Sequence, residues 1–271
     1  MSDVFDLDAY LARVGYAGPR EPTLATLAAL HALHPAAIPF ENLDPLLERP
    51  VRLDLASLQA KLVAQRRGGY CFEQNALFRA ALQALGFSVT GLSGRVRWMS
   101  PPDGPDGARS HMLLRVELED GPHLADIGFG GHLFAAPIRL SPGIEQATPA
   151  STLRLAPFGE ALTLQTRLPD GWRDVYRFTL EPQNAADYEM SNWFTSTHPA
   201  SLFRNHLLAE RLTPERRVSL FNTRVTERYP DGRVVERILE EPAALARALD
   251  EDFGLTPPAD PEAVFARLPP A

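Results

Sequence analysis

The only cysteine of the chain, Cys71, lies in its most informative local sequence. It follows a double glycine in the segment Arg67-Gly68-Gly69-Tyr70-Cys71 and precedes apolar residues at helical spacing. Two glycines permit a tight turn with positive φ, so Cys71 is expected in the first turn of a helix. Free N–H groups at a helix N-terminus stabilise a thiolate and can hold an oxyanion. This setting favours a nucleophilic cysteine as much as the alternative, a buried structural cysteine.

A cysteine nucleophile needs a base and a third group that orients the base. His111 begins a predicted strand that pairs, across a turn at Asp120-Gly121, with the strand that carries Asp126. If the loop has an even number of residues, the two side chains share one face of the pair, and a loop over 118–121 makes them diagonal neighbours. An odd loop would place them on opposite faces. The spacing therefore predicts a triad of Cys71, His111 and Asp126, with a solvated strand-end carboxylate as the alternative for Asp126.

The remaining titratable residues are weaker starting points for chemistry. His31 and His34 lie among leucines at helical spacing, where a satisfied surface or core histidine is expected. Four further histidines have no acid placed by local geometry to orient them: His123, His132, His198 and His206. The single lysine, Lys61, lies in a helix-like stretch that does not resemble a cofactor site, so a Schiff-base mechanism is set aside.

The elements that must position these residues change type along the chain. Capping residues and leucines at helical spacing predict helices that begin at Asp6, at Thr23 (with Pro35 beyond its end) and at Asp54. A fourth helix is expected from Cys71 to Gly86. The period then changes to the alternation of strands, with turn residues between them. The predicted strands are 112–118, 123–127, 152–155, 162–168, 175–180 and a pair turned at 230–232; later helices are expected near 188–194, 243–249 and 262–268.

Composition restricts the possible functions. The length of 271 residues suits two or three compact units. The net charge of -7 argues against a nucleic-acid-binding surface. No stretch approaches the roughly 18 apolar residues of a membrane span, and the acidic residues in 1–8 argue against a signal peptide. One cysteine rules out an intrachain disulfide and a metal site of several thiolates. A cytoplasmic protein with no metal and no membrane partner is therefore expected.

The order cysteine, histidine, acid fits the papain-like and transglutaminase-like plan, in which a helix carrying the nucleophile packs against a sheet. The expected fold class is α+β. We predict a helical domain over 1–86 that carries the nucleophile, a β-barrel domain over 87–190 that carries the base and the acid, and a lid domain over 191–271.

Several segments together resemble the arylamine N-acetyltransferase family. Arg67-Gly68-Gly69-Tyr70-Cys71, followed by Glu73 and Asn75, is similar to the family's signature around its nucleophile. Four other segments match in order: Pro39-Phe40-Glu41-Asn42-Leu43, Ser110-His111, Asp126-Ile127-Gly128-Phe129-Gly130, and Asn192 to Pro199 with Ser201-Leu202-Phe203. Residues beyond about 210 match only loosely.

The resemblance implies an N-terminal helical domain, a central β-barrel and a C-terminal α/β lid. It also implies acetyl-CoA as acyl donor, arylamines or arylhydrazines as acceptors, and the triad roles for Cys71, His111 and Asp126. Phe40, Phe129 and Phe203 would line the acceptor pocket. The loop Gly128-Phe129-Gly130-Gly131 would be approached by the pantetheine arm of the donor.

Other interpretations stay open at this point. A cysteine hydrolase or a transglutaminase would share the chemistry up to the thioester, and a binding protein could retain an inactive site. On the sequence alone, plain core packing is the favoured explanation for the phenylalanines, and an ordinary turn explains the glycine loop equally well. Arg66 and Arg67 are expected as ordinary helix-end charges. Glu41, Glu73 and Asn75 could either brace the site or cap local helices.

Overall fold

The computed structural model describes residues 5–101, 104–257 and 260–269, so 1–4 of the acidic start lie outside the described residues. The first helix, α1 (Leu7–Val14), begins at the N-cap Asp6 and ends at Gly15, whose φ is 72°. Thr23 caps α2 (Leu24–Ala37). Both starts were predicted.

The expected end of α2 was wrong, because Pro35 lies inside the helix rather than beyond it. Proline removes one backbone donor from a helix. In the last turn this loss is local, since the following Ile38 N still donates to His34 O at 2.7 Å.

The segment before the nucleophile contains two short helices and a wider turn. After α3 (Leu43–Leu46), Asp54 caps α4 (Leu55–Leu58) as predicted, but the chain then continues as a π-helix over Gln59–Ala64. A leucine pattern does not distinguish the two helix types, because both place Leu58 and Leu62 on the buried side. The next helix, α5 (Cys71–Ala84), carries the nucleophile candidate at its first residue.

The centre of the chain forms an antiparallel sheet of eight strands. In chain order these are β2 (Ser88–Val96), β3 (His111–Leu118), β4 (Gly121–Ala125), β5 (Ile138–Arg139), β6 (Gln146–Ala147), β7 (Thr152–Phe158), β8 (Ala161–Leu168) and β9 (Gly171–Phe178). Their order across the sheet is β5-β4-β3-β2-β9-β8-β7-β6. Gln146 links the two edge strands, since its side chain accepts from Arg139 N at 2.7 Å and donates to Arg139 O at 2.9 Å. The sheet thereby curls into the predicted barrel.

The hairpin of β3 and β4 has the register that makes His111 and Asp126 diagonal neighbours. Leu118 pairs with Gly121, and Leu114 pairs with Ala125. The even-loop prediction is therefore confirmed. The predicted second strand, 123–127, lies two residues earlier in the structure: β4 covers Gly121–Ala125 and ends one residue before Asp126.

A second antiparallel sheet of five strands lies in the C-terminal part and recruits β1 (Phe40–Glu41) from the N-terminal part. Its other strands are β10 (Leu208–Leu212), β11 (Arg217–Phe221), β12 (Arg224–Arg228) and β13 (Val234–Ile238). The accompanying helices are α6 (Ala185–Thr197), α7 (Leu202–Asn205), α8 (Pro242–Glu251) and α9 (Pro261–Phe265). Helix α6 runs across residue 190, and the domain divisions at 86 and 190 stay predictions.

The largest core joins the helical part to the barrel. Phe78 and Leu82 on α5 belong to one buried cluster with Met112, Leu114 and Val116 on β3. Burying these side chains stabilises the contact by about 1.5–3 kcal/mol per large residue. This packing of the nucleophile helix on the sheet is the predicted plan. In the described part of the chain, no helix has the length and apolar character to cross a membrane.

Candidate active site

The turn before Cys71 differs from the sequence-based expectation. Positive φ was expected at Gly68 or Gly69, but the residue with positive φ here is Arg66, at 55°. Glycine is required at positions 68 and 69 because a side chain at either position would collide with neighbouring atoms. A Cβ on Gly68 would lie 2.2 Å from Pro39 O, and one on Gly69 would lie 2.7 Å from Glu73 Oε2.

Cys71 is the first residue of α5 and is only 3% exposed. Glu73 Oε2 accepts a hydrogen bond from Tyr70 N at 3.1 Å, which fixes the start of the helix. The Cys71 thiol donates to Ser110 O at 3.7 Å. The sulfur therefore lies at a helix N-terminus, beside the residue that precedes β3.

The structure brings the three predicted triad residues together. His111 Nε2 donates to Asp126 Oδ2 at 2.7 Å, and the other side of the imidazole ring hydrogen-bonds with Cys71. Asp126 Oδ1 accepts from Asn75 Nδ2 and from Gly128 N, both at 3.0 Å. Every one of these groups is buried. A base held between a thiol and an oriented carboxylate can take the thiol proton and return it to a leaving group.

Charges inside the site stabilise the protonated imidazole. Burial alone would lower the pKa of His111, but the charge and hydrogen bond of Asp126, together with Cys71, raise that pKa to about 10. Burial would raise the pKa of Asp126, whereas His111 and the hydrogen bonds from Asn75 and Gly128 lower it overall. At neutral pH the site thus holds a His111 imidazolium against the Asp126 carboxylate.

Three residues of the site were missed or left undecided by the sequence analysis. Asn75, one turn after Cys71, donates to Met112 O at 2.8 Å as well as to Asp126, so it braces the triad rather than capping a helix. Its four-residue spacing from Cys71 was the available signal. His31 Nε2 accepts from Asp126 N at 3.1 Å, and burial lowers the pKa of His31 to about 4. The ring of Tyr176 lies 4.9 Å from that of His111. His31 and Tyr176 lie on elements that are distant from Cys71 along the chain, and no local sequence pattern indicated that either residue would lie at the site.

The three predicted pocket phenylalanines flank the site in two groups. Phe40 and Phe203 have ring centroids 6.0 Å apart, and Phe203 also packs against Tyr70, at 5.6 Å. Phe129 lies edge-on to His111, with centroids 5.1 Å apart. Phe129 therefore borders the imidazole, whereas Phe203 packs against Tyr70, the residue before Cys71, and against Phe40.

The loop after Asp126 packs closely against the nucleophile helix. A Cβ on Gly128 would lie 2.8 Å from Cys71 Cα, and one on Gly130 would lie 2.4 Å from the ring of Phe40. Gly131 has a φ of 98°. Contacts within the protein thus account for the first two glycines, and the backbone conformation accounts for the third.

Arg67 belongs to a cluster of buried charged residues that also includes Glu73 of the helix that carries Cys71. The expectation for Arg67 was therefore wrong. That residue is not an ordinary helix-end charge, because Arg67 Nη2 lies 2.7 Å from Glu41 Oε1 and 3.2 Å from Asp44 Oδ1 in a buried setting. Lys61 Nζ lies 2.6 Å from Asp44 Oδ2 and 2.7 Å from Glu73 Oε1. Burial would lower the pKa of Lys61, but the neighbouring carboxylates raise it overall, so the lysine is charged. A charged lysine is a poor Schiff-base nucleophile.

Among the described residues, no group of His, Cys, Asp or Glu side chains could hold a metal ion.

Comparisons with known proteins agree with this geometry. The profile of a family described as N-acetyltransferase matches residues 23–260. The arylamine N-acetyltransferase of Escherichia coli (strain K12) is 44% identical over 92% of this chain and 88% of its own length. The arylamine N-acetyltransferase of Mycolicibacterium smegmatis is 45% identical over 79% of each chain. The solved structure of the Mycobacterium marinum arylamine N-acetyltransferase in complex with CoA has a TM-score of 0.92 and 38% identity, covering 97% of this chain and 98% of that one.

Proposed function

Since this chain belongs to the arylamine N-acetyltransferase family, we propose that it moves the acetyl group of acetyl-CoA to arylamines or arylhydrazines, with Cys71 as the carrier. The observation that supports this proposal most strongly is the buried chain of contacts from Cys71 through His111 to Asp126. The proposed catalytic residues are these three, which supply the nucleophile, the base and the orienting acid.

In the first half-reaction the thiolate of Cys71 attacks the carbonyl carbon of the thioester. A bond forms between that carbon and the Cys71 sulfur, and the bond from the carbon to the sulfur of CoA breaks. The CoA thiolate takes the proton held by the His111 imidazolium and leaves as CoA. The raised pKa of His111 makes this proton available at neutral pH.

In the second half-reaction the amine nitrogen attacks the acetyl carbon on Cys71. Neutral His111 removes the proton that the nitrogen loses, and the Cys71 thiolate is the leaving group. The site returns to its starting charge state, and the products are CoA and the acetylated amine. Because the acetyl group rests on the protein between two substrates, the kinetics are expected to be ping-pong.

The surroundings of the thiol suit an aromatic acceptor. Phe203, which packs on Phe40 and Tyr70, and Phe129, which packs on His111, offer apolar ring faces and edges. The low exposure of Cys71 limits access of water to the acyl-enzyme, which favours transfer over hydrolysis. We assign the acceptor pocket to these three residues.

The donor is proposed to pass along the loop Gly128-Phe129-Gly130-Gly131. The absence of side chains at Gly128 and Gly130 lets the loop lie against Cys71 and Phe40, so that a thioester bound along it has its carbonyl beside the thiol. We further propose a cytoplasmic protein without nucleic-acid partners, on the basis of its free thiol and its net charge of -7.

A steady-state experiment tests the function. A panel of arylamines and arylhydrazines is assayed with acetyl-, propionyl- and malonyl-CoA, and initial rates are measured over a grid of donor and acceptor concentrations. We expect parallel lines in double-reciprocal plots with acetyl-CoA. Hydrolysis of every thioester without acceleration by any amine would instead indicate a hydrolase. Lines that intersect would contradict the carrier role of Cys71.

A further inference from the structure

We propose that Glu210, on the C-terminal sheet, is a positioning residue that holds the loop Gly128–Leu133 in the conformation needed to bind the acyl donor. The proposal rests on the proposed function, because it assigns the donor to this loop. It gives the C-terminal part of the chain a specific task in the first half-reaction.

Glu210 is placed beside the site by sheet pairing. It lies on β10 directly opposite Phe40 of β1, and only 1% of it is exposed. Its carboxylate accepts hydrogen bonds from two loop amides: Oε2 from Gly131 N, and Oε1 from Leu133 N at 3.0 Å. A carboxylate can accept from two amides at once because both of its oxygens are acceptors.

Arg217, on the neighbouring strand β11, contacts both Glu210 and the same loop. Its Nη1 lies 3.6 Å from Glu210 Oε1 and 2.9 Å from His132 Nδ1, and its Nη2 donates to Leu133 O at 2.8 Å. On its other side His132 is fixed by the barrel, since Nε2 lies 3.0 Å from Thr166 Oγ1. The second half of the loop is therefore held between the barrel and the C-terminal sheet.

The two ends of the loop are anchored by different carboxylates. Asp126 accepts from Gly128 N at the first end, and Glu210 accepts from Gly131 N and Leu133 N at the other. Phe129, between the two anchors, packs against His111. A change at Glu210 releases only the far end, which leaves the triad contacts in place while the proposed donor surface shifts.

The test substitution is Glu210→Gln. The amide has a single acceptor oxygen, and its NH2 group would face one of the two loop N–H groups, so one anchor is lost. The ion pair with Arg217 is lost as well. The matched control is Glu227→Gln. Glu227 is a buried carboxylate of the same sheet, on β12, and its hydrogen bonds are to Arg216, Tyr229 and Arg237 rather than to the loop. Glu210→Asp keeps both acceptor oxygens on a shorter arm.

In ping-pong kinetics, kcat/KM for the donor reports acylation alone and kcat/KM for the acceptor reports deacylation alone. For Glu210→Gln we expect kcat/KM for acetyl-CoA to fall about tenfold and the Kd for CoA, measured by calorimetry, to rise by a similar factor. We expect kcat/KM for the arylamine to change less than about twofold. Glu210→Asp should lie nearer the wild type, and Glu227→Gln should leave all three quantities unchanged.

Two outcomes would overturn the proposal. One is equal loss of both kcat/KM values in Glu210→Gln, and the other is a lowered Tm with an unchanged Kd for CoA; each would mark Glu210 as a purely structural residue. A failure of the proposed function is distinguishable, because the wild-type protein would then transfer no acetyl group from acetyl-CoA to the arylamine in the same kinetic assay.

Discussion

Replacing Asp126 with Asn tests the chemistry of the triad with little change in shape. The asparagine oxygen can keep the hydrogen bonds from Asn75 Nδ2 and Gly128 N, both 3.0 Å long in the native site. Its NH2 group then takes the position of Oδ2, which lies 2.7 Å from His111 Nε2. An NH2 group donates rather than accepts, so His111 would carry its proton on the nitrogen that faces Cys71. In that tautomer the imidazole cannot take the thiol proton.

The size of the effect follows from the electrostatics. The charge of Asp126 helps to raise the pKa of His111 to about 10 from an ordinary 6.5, against the opposing effect of burial. Without that charge the pKa is expected to fall to the ordinary value or below. A fall of the pKa by about 3.5 corresponds to roughly 5 kcal/mol, at about 1.36 kcal/mol for each pH unit. We therefore expect the acylation rate to fall on the order of a thousandfold or more; the equivalent change in a serine triad costs about ten-thousand-fold.

The assay measures the release of CoA in the first half-reaction, with acetyl-CoA in excess, so that each protein molecule is acylated once. Asp174→Asn serves as the matched control, because Asp174 is a barrel carboxylate that accepts from Gln165 Nε2 and does not contact the triad. A Tm within a few degrees of the wild type would show that both variants fold. An acylation rate of folded Asp126→Asn within tenfold of the wild-type rate would show that the charge of Asp126 is not needed to orient His111.

The free energy of unfolding, measured over a pH series, gives a second test of the interaction between His111 and Asp126. In a Cys71→Ala background the thiol no longer titrates, and the raised pKa of His111 contributes stability that is fully present below about pH 6.5. That contribution is lost as the pH rises through the folded-state pKa. Adding Asp126→Asn should therefore lower the free energy of unfolding more at pH 6 than at pH 10. An equal loss at both values would contradict a charged His111.

Three further perturbations address the nucleophile, the loop and the buried charges. Iodoacetamide should inactivate the protein by alkylating Cys71, and Cys71→Ala should take up no reagent; inactivation through another residue would contradict the assignment of the nucleophile. Gly128→Ala should lower both Tm and turnover because its Cβ would lie 2.8 Å from Cys71 Cα, whereas Gly107→Ala, which has nothing within 4 Å, should be neutral. Arg67→Met should lower the free energy of unfolding in urea by about 3–5 kcal/mol, since it strands buried carboxylates. Arg20→Met, which breaks a pair exposed by 57% and 78%, should cost less than about 1 kcal/mol; equal costs for the two arginine variants would contradict the buried network.

Local signals in the sequence were enough to predict the elements that carry the triad. Asp6, Thr23 and Asp54 start helices because their side chains accept from backbone N–H groups within the first turn, which is a short-range effect. The register between His111 and Asp126 was predictable for a related reason, since a tight turn fixes the pairing of every residue that follows it.

The parts that were wrong or missed depend on contacts between distant segments. Gly68 and Gly69 are needed because other backbone and side-chain atoms approach them, and a sequence does not show such approaches. The burial of Arg67 requires Glu41, which is 26 residues away along the chain. Strand β1, of two residues, exists only because β10 pairs with it. A two-residue strand formed in this way shows no alternating pattern of apolar and polar residues in the sequence, so it could not be predicted.

The acetyl group that Cys71 is proposed to carry can be observed by intact mass spectrometry. The protein is mixed with acetyl-CoA alone, the CoA is removed, and the mass is recorded before and after an arylamine is added. We predict one acetyl group on the wild-type protein, located on Cys71 by peptide mapping, and its loss when the amine is added without CoA. Cys71→Ala should remain unmodified, because the chain has no other cysteine. An intact wild-type protein that gains no acetyl group, or an adduct that water removes as fast as the amine does, would contradict the role of Cys71 as the acetyl carrier.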